Sequence, residues 1–262
     1  MFRRLADTKL FTLGAGKASL AFYCRACSIC TMCTAYQVGG SSIRQEANRP
    51  SVLQLFLDAM AEESASGRSR KQLIRPTNVA PVIMPDGAIA AMHWGFRVKV
   101  PGASGKLLVK TVVNAREDKL ETRTWKKAFQ ERRCIIPASA YYEWTGAPGS
   151  KQAHLFTRPD LDWMWLAGIW EEHPEHGRCY SMLTTEPNRV AAFVHDRMPA
   201  ILRPEEIGPY LAGEMRNFHP AEDVLQAVQV PSPLSKAAEE SAETMEKAPP
   251  PEPTPPAQGE LF

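Results

Sequence analysis

Residues 134–150 read CIIPASAYYEWTGAPGS, an apolar and aromatic run interrupted by Ser139 and Glu143 and ended by a cluster of turn formers. Such a run suits a strand on a core, and the Gly and Pro residues of 145–149 close it. Comparable short runs stand on both sides, at 79–84, 88–94, 107–113, 154–157, 163–170 and 179–184, with Pro85-Asp86-Gly87 marking one turn between them. Helical spacing is rarer. Val52, Leu55, Phe56, Ala59 and Met60 recur at helical intervals behind Ser51, which suits an N-cap, while 62–71 is polar and loop-like. Segments 187–194 and 204–211 each begin with a proline, which the first turn of a helix tolerates. Many short strands with few helices predict an α+β fold. The expected architecture is a single domain on a curled or barrel-like, mostly antiparallel sheet with a few flanking helices.

The 262 residues carry 31 basic and 29 acidic side chains, a net charge of +2, and are 44% hydrophobic. That composition excludes fibrous, collagen-like and wholly disordered chains. The longest uncharged run, 26–43, is rich in Cys, Ser, Thr, Gly and Gln and makes a poor bilayer span, so no membrane association is expected. The charge is unevenly placed. Residues 1–31 hold five basic residues against Asp7, and 231–262 hold two lysines against six glutamates with eight of the 22 prolines. A near-neutral centre gives no global electrostatic argument for nucleic acid, so that case must rest on local residues.

Segment 234–262 is expected to be a disordered Pro/Glu-rich tail. Residues 1–31 read as an extension: a faint export or transit signal, or residues upstream of a working start at Met32. Cys24, Cys27, Cys30 and Cys33 form C-x2-C-x2-C-x2-C. Neither the ferredoxin spacing nor the paired knuckles of structural zinc are matched, so no metal site is expected there. Cys134 and Cys179 sit in apolar runs and read as buried small hydrophobes.

Four polar clusters stand in or beside apolar stretches: Met32-Cys33, Asn114-Ala115-Arg116, Tyr142-Glu143-Trp144 and His195-Asp196-Arg197. Taken singly, each is more often something plainer. A glutamate in Tyr-Tyr-Glu-Trp is usually an ion-paired strand residue, Trp94 and Trp144 core aromatics, Arg116 and Arg197 salt-bridge donors. In order, however, MCTAY (32–36), RPTNVAPV (75–82), HWGF (93–96), VVNARE (112–117), RRCIIPASAYYEW (132–144), LAGIWEE (166–172) and TTEPNRVAAFVHDRMPAIL (184–202) resemble one family. That family is the SOS-response-associated peptidases, the abasic-site crosslinking proteins. The resemblance covers 32 to about 233.

The resemblance implies that Cys33 becomes the first residue of the mature chain. An N-terminal cysteine alone offers a free amine and a thiol on adjacent carbons, which can close a thiazolidine on the aldehyde of an abasic site in single-stranded DNA. Its α-amine titrates near 8, so much more of it is unprotonated at neutral pH than of a lysine at about 10.4. The resemblance further implies that Asn114 holds that amine, that Glu143 with a raised pKa acts as acid and base, and that His195 moves protons at the sugar oxygen. Arg116 and Arg197 would hold DNA, Arg116 on a flanking phosphate, with Trp94 and Trp144 as stacking platforms. No cofactor is implied, and a monomer acting in the cytoplasm at the nucleoid is expected. The chain departs from the family pattern where Thr34-Ala35 replaces Gly-Arg, Ser139-Ala140 replaces Asp-Gly, and Phe96-Arg97-Val98 ends the tryptophan loop. Release of Cys33 would come from translation at Met32 or from self-cleavage. The competing readings are a non-catalytic single-strand-binding module and a thiol-rich metal or redox protein.

Overall fold

The structure, a computed structural model, describes residues 35–39, 50–66, 71–101, 105–147, 149–220 and 225–234. The expectations for 1–31, for the cysteine series including Cys33, and for most of the Pro/Glu-rich tail lie outside the described residues. In chain order the strands begin with β1 (Ala35–Val38), β2 (Gln72–Ile74), β3 (Val79–Ile83), β4 (Ile89–Trp94), β5 (Phe96–Pro101), β6 (Leu107–Val112) and β7 (Asn114–Arg116). They continue with β8 (Arg133–Ala138), β9 (Ala140–Thr145), β10 (Gln152–Thr157), β11 (Met164–His173), β12 (Gly177–Thr185), β13 (Met198–Pro199), β14 (Ile201–Leu202) and β15 (Gln226–Val230). The helices are α1 (Gln54–Ala65), α2 (Lys126–Glu131), α3 (Arg189–Ala192) and α4 (Pro204–Leu211).

Five strands close into a barrel in the order β12-β4-β3-β8-β11, with β11 returning to β12. All these pairings are antiparallel except β12 with β4. The parallel β7 and the short β13 and β14 lengthen its wall at β12 and β11. A second sheet runs β15-β10-β9-β1-β2, and β5 with β6 forms a two-stranded ribbon. The mixed α+β class and the barrel-like, mostly antiparallel sheet are as the sequence predicts.

The expectation of one strand over 134–144 is corrected. The run changes sheet at Ser139, leaving β8 in the barrel and starting β9 in the second sheet. Ser139 supplies the anchor there, its N–H donating to Gln37 O (2.8 Å) and its hydroxyl to Gly39 O (3.1 Å) at the end of β1. Ser51 is likewise no cap. Residues Ser51–Leu53 form a 3-10 turn behind Pro50 without a side-chain cap bond, and α1 then continues through Ala65, into the segment expected to be a loop. Phe56 and Leu57 bury its core-facing side, and Glu and Ala, good helix formers, extend it.

Aromatic contacts join the two sheets. The Tyr36 ring of β1 meets Trp94 edge-on at 5.1 Å, Trp94 stacks on Tyr180 of β12 at 6.4 Å, and the Tyr36 and Tyr180 hydroxyls share a hydrogen bond. At the other side Arg133 is buried, donating to the carbonyls of Phe129, Tyr210 and Met215 and lying 4.1 Å over the Phe129 ring. Its charge is thereby spread over three acceptors and two aromatic faces, which is how a buried guanidinium is tolerated. Among the described residues no helix is long and apolar enough to cross a membrane.

Gly168 of β11 pairs with Cys134 on one side and Met182 on the other. A Cβ there would stand 2.8 Å from Ile136 Cδ1 and 3.0 Å from Cys134 Sγ, so those two side chains fill the space that a methyl group would need. Gly168→Ala should lower unfolding stability by about 1–3 kcal/mol through overpacking. A denaturant midpoint equal to that of the parent chain would show instead that the barrel interior yields without cost.

Candidate functional site

Strand β7 lies parallel to β12 with Asn114 beside Met182, Ala115 beside Leu183 and Arg116 beside Thr184. Backbone and side-chain bonds fix this register, Met182 N–H donating to Val113 O (2.9 Å) and Ser181 Oγ to Val112 O (2.6 Å). Asn114 is half-buried, whereas Arg116 is exposed. The Arg116 fork closes on Asp118, with Nε 2.9 Å from Oδ1 and Nη2 3.1 Å from Oδ2. That bidentate bond raises the arginine above its ordinary value and holds the Asp118 carboxyl below its own.

His195 and Arg197 reach the same end of β12 from the other side. Asn188 caps α3, its Oδ1 accepting Ala191 N–H at 2.8 Å, and the chain then turns so that Val194 N–H and His195 N–H both donate to Ala191 O at 2.9 Å. The His195 side chain is only 9% exposed. Its Nδ1 lies 2.8 Å from Asp196 Oδ1 and 3.1 Å from the Arg197 backbone N. A proton on Nδ1 satisfies the carboxylate and a lone pair there accepts the N–H, so each tautomer finds one partner. Burial lowers the His195 pKa, with Asp196 opposing and Arg197 reinforcing that shift.

Arg197 is turned inward, its side chain 10% exposed, with Nη2 donating to Thr184 O and standing 3.9 Å from Asp118 Oδ1. Its Nε is buried and has no hydrogen-bond partner among the described residues. Desolvation first, then Arg116, lowers its pKa. Glu117 braces the surrounding loop, accepting from Thr185 Oγ1 (2.7 Å) and Phe218 N–H (2.8 Å). A cleft of about 690 Å³ opens here, lined by Arg197, Asp118, Thr185, Arg216 and His219 among others. Arg116 and Arg197 thus meet at Thr184 and Asp118, with Asn114 two residues before Arg116 on β7 and His195 held to Arg197 through the backbone N–H on its Nδ1.

Glu143 and Trp144 belong to β9 in the second sheet. Glu143 is 5% exposed and pairs across to His154 of β10, while its neighbour Tyr142 pairs with Ala35 of β1. Tyr142 also accepts from Gln37 Nε2 (2.6 Å). Helix α3 packs against β15, the outer neighbour of β10, so the segment leading to His195 rests on the sheet that holds Glu143. Trp144 is half-buried, its indole N–H reaching Ser232 Oγ at 3.4 Å, and keeps ring surface in contact with solvent. The platform role expected for Trp94 is corrected. Its side chain is 0% exposed, held between Tyr36 and Tyr180 with its N–H on Val113 O (3.1 Å), and it is a core aromatic.

The sequence model of the SOS response associated peptidase (SRAP) family matches residues 32–238. The chain belongs to the SRAP family. Among relatives, abasic site processing protein YoqW of Bacillus subtilis is 29% identical over 192 residues, covering 64% of this chain and 84% of that one. An abasic site processing protein of Saccharomyces cerevisiae is 30% identical over 135 residues, 50% of this SRAP chain and 36% of the yeast protein. The chain therefore spans about a third of that relative's length. A crystal structure of a Bacteroides thetaiotaomicron protein has the same fold, with a TM-score of 0.54 and 18% identity over 77% of this chain and 93% of that one.

One acid of this candidate site escapes sequence reasoning: Asp118, which occupies the Arg116 fork. Asp118 lies in the 3-10 turn Glu117–Lys119 that follows β7, and the turn brings its carboxylate back onto the Arg116 fork, a contact that strand alternation does not signal. Asp196 stands in a cluster that the sequence singles out, but its contact with His195 is read only from the structure. The His195 ring is expected to titrate below 6.5, and Asp196→Asn should move it lower still, because the carboxylate is what favours the imidazolium. The depressed folded value means that the unfolded chain takes up this proton first, so His195 costs stability as pH falls below about 6.5. Histidine NMR titrations of both proteins check the order; a higher value in the Asp196→Asn protein would overturn it.

Proposed function

We propose that this SRAP chain traps abasic sites in single-stranded DNA by a covalent crosslink through Cys33. The observation that carries the reading is the β1–β9 register. Ala35 pairs with Tyr142, and in the antiparallel direction toward Cys33 the next residues of β9 are the buried Glu143 and then Trp144. Only Thr34 lies between Cys33 and Ala35, and the two steps reach about 7 Å. The names of the Bacillus and yeast relatives, abasic site processing proteins, support the substrate.

The chemistry balances without an added reagent. The Cys33 amine attacks the C1′ aldehyde of the ring-opened abasic sugar; loss of water gives an imine, and the thiol adds to its carbon to close a thiazolidine. Glu143 supplies the proton that carries the hydroxyl away as water, and His195, held neutral by its burial, relays protons at the sugar oxygen. Asn114 holds the amine. The unpartnered Nε of Arg197 and the donors of Arg116 not taken by Asp118 suit phosphate oxygens, and the accessible ring of Trp144 suits a base. One chain carries all these groups, and 32–233 forms the working unit.

The amine must first be freed of residues 1–32. Translation at Met32 followed by methionine removal is the simpler route. The alternative is self-cleavage, in which the Cys33 thiol takes the Met32 acyl group from its own nitrogen and water hydrolyses the thioester, with Glu143 and His195 assisting. N-terminal sequencing tests the first route, which residues of 1–31 on the native protein would exclude.

A denaturing gel with single-stranded DNA carrying one abasic site should show a slow-migrating band that requires both the site and Cys33. Cys33→Ala should abolish it, and Glu143→Gln should slow its formation by about 10²-fold or more. Absence of the band from a chain that starts at Cys33 would overturn the crosslinking reading and leave a non-catalytic single-strand-binding module.

A further inference from the structure

We infer that Phe193 is a base-stacking residue, taking the nucleobase next to the abasic position; this rests on the reading that the chain binds abasic single-stranded DNA. Phe193 is 88% exposed, the most exposed large apolar side chain among the described residues. A phenylalanine held fully in water forfeits the burial that such a ring normally gains, and the fold takes nothing from it.

Its mounting is what gives it meaning. Phe193 ends α3, whose start is fixed by Asn188 on Ala191 N–H, and the residues after it, Val194 and His195, both donate their N–H groups to Ala191 O. The turn that holds His195 in its buried place therefore holds the Phe193 ring outside. Only Val194 separates Phe193 from a histidine assigned to the abasic sugar. Arg189, four residues before Phe193 on the same helix face, is also exposed. A guanidinium and an aromatic ring at that spacing match the phosphate and the base of one nucleotide.

An abasic nucleotide leaves its neighbour with one face unstacked, and an aromatic side chain beside the site can cover that face whichever base it is. Trp94 cannot, being buried in the core. Phe193 can, and it stands on the His195 side of the site, whereas Trp144 stands on the Glu143 side.

The test uses the mature full chain and a single-stranded oligonucleotide with a tetrahydrofuran residue, an abasic mimic without an aldehyde, and 2-aminopurine as its neighbour. Phe193→Ala should weaken binding on the order of 5- to 150-fold and abolish the quenching of 2-aminopurine on binding, while Phe193→Trp retains both. Because the ring is exposed, the melting temperature should be unchanged in both variants. Crosslinking to a natural abasic site at saturating DNA is measured alongside. If the parent chain crosslinks and Phe193→Ala binds and quenches like it, the stacking role is overturned and the crosslinking reading stands. If the parent chain binds with Phe193-dependent quenching but forms no crosslink, the stacking role stands and the crosslinking reading falls. A parent chain that does not bind the oligonucleotide overturns the stacking role, and one that also fails to crosslink to the natural abasic site overturns both.

Discussion

Strand β12 is the element on which the rest of the molecule depends, because along Gly177–Thr185 it serves β11, β4, β7 and β13 in turn. A strand with partners on both edges and packing on both faces has no solvent side, and from Cys179 to Thr185 every residue is buried. Its sequence accordingly shows no polar face, and Ser181, Thr184 and Thr185 are buried along with its apolar residues. The site gains its position from the same fact. Asn114 and Arg116 are placed by the β7 pairing, and Arg197 by its bond to Thr184 O. The loop carrying His195 is held between α3 and β13, the last of which pairs with Thr184 and Thr185.

The parts of the fold legible in the sequence are those where a single local signal decides the outcome. The runs at 79–84, 88–94, 107–113 and 179–184 appear as β3, β4, β6 and β12 within a residue or a few at each end, and Pro204 begins α4 as expected. Failures came where tertiary pairing overrides local pattern. Nothing in CIIPASAYYEW marks Ser139 as the point where the chain leaves one sheet for another; that role depends on Gln37 and Gly39, about a hundred residues away. The three-residue strands β2 and β7 are too short to carry a period, and β5, with Arg97 and Lys99 between apolar residues, pairs among the described residues with β6 alone.

For the candidate site, residue order pointed to residues but not to their environments. Trp94 and Trp144 are the same residue type in similar apolar contexts, yet one fills the junction of two sheets and the other keeps accessible surface. The difference lies in their partners. Trp94 faces Tyr36 and Tyr180, whose joined hydroxyls close the gap, and no local pattern reports a contact between residues so far apart in sequence. Arg116 and Arg197 diverge for a related reason. Arg116 is exposed and neutralised locally by Asp118, an interaction between solvated groups worth under about 1 kcal/mol. Arg197 is desolvated, with a carbonyl for one nitrogen and no described partner for another.

That asymmetry gives the two guanidiniums different physical properties. A solvated arginine whose fork already holds a carboxylate attracts an anion weakly and exchanges partners at little cost, which suits steering and screening by salt. A desolvated arginine held by Thr184 has lost its hydration already, so an acceptor arriving at its Nε removes a penalty that the folded chain carries. The neighbouring histidine obeys the same logic. Burial disfavours its charged form while Asp196 favours it, and Nδ1 has a partner for either tautomer, so a proton can be taken or given there with little rearrangement of the backbone. The burial imposed by β12 and α3 thus sets the fold and tunes these groups at once.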